Sequence, residues 1–255
     1  MLNDLFVLFI LFVIYSFLGW LTEVLYAFYK HRKFVNRGFL FGPFCPIYGI
    51  GVVLASKLLF NFKANIIILY ILSVIITSAL EYITSYILEI FFQSTWWDYS
   101  NQKYNINGKI CLIFSLLWGL ACVLIVKIVN PFVENLLSVF INLLGSYEKL
   151  FLEIVFLYFC ADFIITLVSL FGFKRILLSL QNIKQKYNVE FAKFKENKQI
   201  SMEDIIRFKN DFTLKQETIF NKITKNQKRI LKAFPYINSK RYKLIEEIKK
   251  RIKEF

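Results

Sequence analysis

The sequence predicts an all-α, polytopic helical membrane protein with about five transmembrane helices, the second broken by Gly and Pro, and an amphipathic helical tail. Three observations carry that prediction. Of the 255 residues, 57% are apolar and 18% aromatic, and the mean hydropathy is +0.51. Several apolar runs approach or exceed the roughly 20 residues needed to cross a bilayer core. The charge is also divided unevenly: residues 173–255 hold 22 Lys+Arg against 9 Asp+Glu, whereas residues 1–172 hold 10 against 9. Because basic segments stay on the cytoplasmic side, the tail (173–255) and the loop from Lys30 to Arg37 are expected there, with the membrane bundle in residues 1–172.

The first apolar run, Leu5 to Phe28, has no basic start and no small-residue cleavage site, and it carries Trp20 and Glu23. It is expected to be a retained span and not a signal peptide. Further spans follow at about 39–60, 65–92, 110–130 and 150–172. This count places the amino terminus outside, the 29–38 and 93–109 loops inside, and the carboxyl-terminal tail in the cytoplasm. Pro131 to Tyr147 is short and interrupted by Glu134 and Asn142, so it is expected to lie as a helix on the outer surface.

The stretch FLFGPFCPIYGIG places Gly42, Pro43, Pro46, Gly49 and Gly51 inside an apolar span. In hydrocarbon an unpaired backbone group costs several kcal/mol, so irregular backbone survives only against protein or a water-filled cavity. Broken spans are also where secondary transporters place substrate and ions. A kinked helix that merely packs tightly is the alternative.

Acids inside the spans sharpen the choice, because a carboxylate near the bilayer centre costs from about 2.5 kcal/mol upward and faces a bundle interior or an aqueous cavity. Thr77, Glu81, Ser85 and Glu89 recur every four residues, a polar stripe along one helix face. Tyr15, Gly19 and Glu23 do the same in the first span, with Arg37 or Lys33 as possible partners of Glu23. Asp162 is a third acid without a partner identifiable from sequence. In the loop TWWDYSNQKYNINGK, the aromatics read as interfacial anchors. Asp98 stands out between them, and Asn105, Asn107 and Gly108 form a turn-prone patch. With Asn36, Arg37 and Gly38 they are expected to line a cytoplasmic mouth. The candidate binding residues are therefore Glu81, Glu23, Arg37, Asn36, Tyr48, Asp98 and Asn107.

Five motifs, YSFLGWLTE (15–23), NRGFLFGPFCPIYGIG (36–51), TSALEYIT (77–84), WWDYS (96–100) and NINGKICLIFSLLWG (105–119), together resemble the membrane family labelled ABC-transporter permease, type IV. The resemblance covers about residues 5–172 in order. It implies a membrane-spanning permease working with a separate ATPase. The family pattern falls on Gly19, Trp20, Glu23, Asn36, Arg37, Gly38, Gly42, Pro43, Cys45, Pro46, Tyr48, Gly49, Glu81, Trp96, Trp97, Asp98, Tyr99, Asn107 and Gly108. The long basic tail departs from the shorter members.

No G-x-x-x-x-G-K-[ST] loop occurs, so ATP-driven work would need a partner. Five spans are few for a pathway, which points to a homo-oligomer or a second membrane subunit. The expected function is a permease-like subunit moving a small solute. A membrane enzyme acting on a lipid-linked substrate is the first alternative, and a scaffold working through its tail the second. No catalytic set, metal site or cofactor motif is recognised: His31 stands alone in a basic loop, and Cys45, Cys111, Cys122 and Cys160 lack metal-ligand spacing.

In the tail, Leu180, Ile183, Tyr187, Phe191 and Phe194 step by three or four residues. Ser201 with Asp204 resembles a capping box opening a second helix through Ile205, Phe208, Phe212, Ile219 and Ile223. Pro235 is expected to end it, with a third helix over Tyr242 to Ile252. Lys215 and Lys222 interrupt the apolar seam, which favours a helical tail on anionic lipid or a partner over a long coiled coil. Nucleic acid is not expected as a partner.

Overall fold

The structure, a computed structural model, describes residues 2–92, 94–196 and 201–234. Pro235 and the expected helix from Tyr242 to Ile252 lie outside the described residues. The order is α1 (Leu2–His31), α2 (Pro46–Leu58), α3 (Ile66–Phe92), a two-stranded hairpin of β1 (Asn105–Ile106) and β2 (Ile110–Cys111), α4 (Leu112–Leu124), α5 (Asn130–Leu144), α6 (Glu148–Glu196), α7 (Met202–Phe220) and α8 (Lys225–Ala233). Three stretches are long and apolar enough to cross a membrane: Leu5–Lys30, Ile66–Phe92 and Leu112–Ala192, the last turning back at Gly145.

α1 and α2 pack closely because glycines remove the side chains between them. A Cβ on Gly49 would run into the Phe12 carbonyl and the Ser16 hydroxyl, and one on Gly19 into the Tyr48 ring. Small residues at such crossings let backbones approach. Gly49, Gly51 and Pro46, expected within the break, are therefore helical. Pro46 starts α2, where its missing amide has no intrahelical role. The irregular backbone is confined to the residues before it. With 13 residues α2 is about 20 Å long, short of the hydrocarbon thickness.

α3 divides as its pattern predicts at Glu81 and Ser85, whereas Thr77 and Glu89 are only partly buried. Ile67, Ile71, Ile75, Ile83 and Ile87 are exposed on the outer side, while Ser73, Glu81 and Ser85 are buried. The hairpin after α3 turns through Asn107 and Gly108, both with positive φ, the conformation tight β-hairpins need.

Residues 131–144, expected as a helix of their own, continue the helix of α4. A π-helical turn at Ile125–Val129 joins α4 to α5 without a break, and this wider turn accommodates Pro131, which has no amide to donate. α5 then packs Leu137 and Val133 against Phe6 and Ile10 of α1, and the buried Asn130 accepts a hydrogen bond from the Tyr15 hydroxyl at 3.2 Å.

α6 runs for 49 residues, about 74 Å, straight through residue 172 into the basic tail. The Ser201–Asp204 capping box is present. α7 stops at Phe220, short of Ile223, because a second box, Thr224 with Gln227, opens α8. Tyr187 of α6 stacks on Phe208 and Phe212 of α7 with centroids 5.0 and 4.0 Å away. The tail also closes back on the bundle: Leu177, Leu180, Ile223, Ile230 and Leu231 share one core with Leu88, Phe92 and Trp96.

Candidate functional site

The irregular segment before α2 is held by one carboxylate. The Phe41 amide donates to Asp162 Oδ1 at 2.8 Å and the Gly42 amide to Oδ2 at 2.9 Å, while Thr166 Oγ1 lies 3.1 Å from the Phe41 amide. Gly42 is required here, since a Cβ would lie 2.7 Å from Asp162 Oδ2. Asn36 steadies the start of the segment, accepting from the Trp20 indole at 2.7 Å and the Gly38 amide at 3.0 Å. The Cys45 amide donates to the Ser16 carbonyl at 2.9 Å. Hydrogen bonds to protein, with Asp162 foremost, thus satisfy the amides of the break, and Pro43 brings none.

Two polar groups follow. In the first, Tyr48 of α2 donates its hydroxyl to Glu23 Oε1 at 2.7 Å, and Arg37 lies 3.3 Å from Glu23 Oε2. Arg37, not Lys33, is the ion-pair partner of Glu23. In the second, Tyr99 donates to Glu81 Oε1 at 3.0 Å. The loop aims Tyr99 there: its amide donates to the Gly108 carbonyl at 2.8 Å, and its ring stacks on Phe114 at 5.0 Å. Burial and the neighbouring Glu81 charge hold the Tyr99 hydroxyl above its ordinary pKa, so it remains a donor. One turn further along α3 than the buried Ser85, Glu89 pairs with Lys109.

A cavity of about 390 Å³ joins these groups. Glu23, Arg37, Tyr48, Gly51 and Glu81 line it, so four of the seven expected binding residues meet at one space. Its walls are mostly apolar. The other three serve the loops: Asn36 as described, Asp98 accepting from the Ser100 amide and hydroxyl at 2.9 and 2.5 Å, and Asn107 donating to the Tyr82 hydroxyl at 3.1 Å. Among the described residues, three buried polar atoms on cavity-lining side chains have no hydrogen-bond partner: Glu81 Oε2, Arg37 Nε and Trp96 Nε1.

Several lining residues were not singled out by sequence. Trp118 and Cys122 come from α4, where Gly119 packs against Val74 of α3. Phe234 arrives from the end of α8 and meets Trp96 edge-on at 4.8 Å. Trp96 is accordingly 3% exposed, a core residue and not a headgroup anchor. α8 is fastened on both sides of this seam. Arg229 donates to the Gly38 carbonyl at 2.7 Å, and Gln227 to the Ser169 carbonyl at 2.9 Å. The Thr224–Gln227 box was the available sequence signal.

Fold and site together define a class, the helical membrane proteins that enclose a mostly apolar cavity between short and long spans. Within it, the chain belongs to the family described as "Putative ABC-transporter type IV", whose model matches residues 10–167. That match runs from α1 into α6 and leaves α7 and α8 outside it. No curated protein and no solved structure matches the chain.

Proposed function

We propose that the chain is the membrane-spanning, solute-binding subunit of a transport system energised by a separate ATPase, with the solute held in the cavity between Glu81 and α2. The observation that carries this reading is the cavity itself. It brings a buried, half-partnered carboxylate from α3 together with the helix that follows the broken segment, at a volume within the range of small-molecule sites. The family membership supports transport, and a sequence without a phosphate loop fits an energising ATPase supplied separately. In this arrangement the amino terminus faces outward and the basic tail lies in the cytoplasm, against anionic lipid or the partner. The small number of spans fits a homo-oligomer or a second membrane subunit around the pathway.

Aqueous labelling tests the cavity. In a chain freed of Cys45, Cys111, Cys122 and Cys160, single cysteines at Ile47, Thr77 and Leu80 should react with a water-soluble maleimide in native membranes. Positions on the outer face of α3, such as Ile75, should be protected. Uniform protection would sink the reading.

A further inference from the structure

We propose that the cavity takes an organic ammonium, an amine or quaternary head on an apolar body, with Glu81 as its counter-ion; the assignment rests on the solute-binding reading above. Three charged side chains line the space, Glu23, Arg37 and Glu81. Glu23 and Arg37 lie 3.3 Å apart and offset each other, and Tyr48 donates to Glu23 as well. Glu81 has no such offset. Tyr99 satisfies Oε1, but Oε2 is buried without a partner, and among the described residues no Lys or Arg forms an ion pair with it. Such a carboxylate in a low-dielectric interior needs a cation or a hydrogen-bond donor beside it.

The walls narrow the class of cation. Trp96, Trp97, Trp118, Phe39 and Phe234 all border the space, and aromatic faces attract cations while accepting apolar groups. A bare metal ion would instead need several oxygen, nitrogen or sulfur ligands, and no His/Cys/Asp/Glu group able to hold one exists among the described residues. An anion would meet the unbalanced Glu81. A neutral molecule of the same shape could donate a hydrogen bond to Glu81 but would not offset its charge. An ammonium on an apolar body satisfies the carboxylate, the rings and the volume at once.

Three probes with one body separate these cases: 3-phenylpropylammonium, 3-phenylpropanol and 3-phenylpropionate. They are titrated against the full-length chain in lipid nanodiscs, read by tryptophan fluorescence, since three of the four tryptophans border the cavity. The ammonium should bind about tenfold or more tightly than the alcohol, and the propionate most weakly. Glu81→Gln should remove that preference by weakening binding of the ammonium. If Glu81→Gln does not fold, the wild-type ranking alone decides. Equal or tighter binding of the alcohol or the propionate overturns the assignment, as does unchanged ammonium binding in Glu81→Gln. Alcohol binding as tight as that of the ammonium, with cysteine labelling at Ile47, would leave the cavity standing and reject the ammonium; no probe binding and no labelling would reject both.

Discussion

Asp162 is an intramembrane acid whose use becomes plain only with its partners in view. Each carboxylate oxygen accepts a backbone amide of the irregular segment, which would otherwise be an orphan donor in an apolar setting. Asp162→Asn keeps the shape but turns one acceptor into a donor facing an amide. It should cost about 1–3 kcal/mol, read as a lower unfolding temperature in detergent, with Asp162→Glu also impaired because Gly42 leaves no room for a longer side chain. A variant as stable as wild type would show that the break does not depend on this carboxylate. Glu81 was legible in the sequence because its four-residue repeat marks a face. The partners of Asp162 were not, since they lie 120 and 121 residues away and a backbone amide has no residue-type signature.

Among the elements, α8 was the least visible, a nine-residue helix within a long basic tail. Its position depends on two side chains reaching carbonyls of different parts of the bundle. Burial lowers the pKa of the Arg229 guanidinium, and the Asp162 charge opposes that shift. Arg229→Ala should release α8, seen as faster amide exchange over residues 225–233 with α3 and α4 unchanged. The loss should be about 1.5–3 kcal/mol, the range for hydrogen bonds to charged groups. Unchanged exchange would mean that Ile230 and Leu231 hold α8 by apolar contact alone. The long helices were legible from apolar length, whereas the continuity of α4 with α5 was hidden by Glu134 and Asn142, which made residues 131–147 look interrupted. A π turn carries no composition signal, so its effect could not be anticipated.

At the scale of the whole molecule, the alternation of exposed isoleucines with a buried polar stripe on α3 describes a bundle whose solvent is lipid outside and whose polar chemistry is inside. The proposed orientation has a direct check. A cysteine at Asn61, in the α2–α3 turn, should react with an impermeant maleimide on intact cells. One at Gln102, in the loop before the hairpin, should react only after permeabilisation. The opposite pattern would invert the molecule. One further property follows from where α8 is fastened. Asp162 and Ser169 are two turns apart on the same rigid helix, about 10 Å, and both grip the seam whose other edge is the segment from Gly38 to Gly42. The Arg229–Gly38 hydrogen bond ties the hold of α8 to the shape of the break, and the tie it makes acts in both directions.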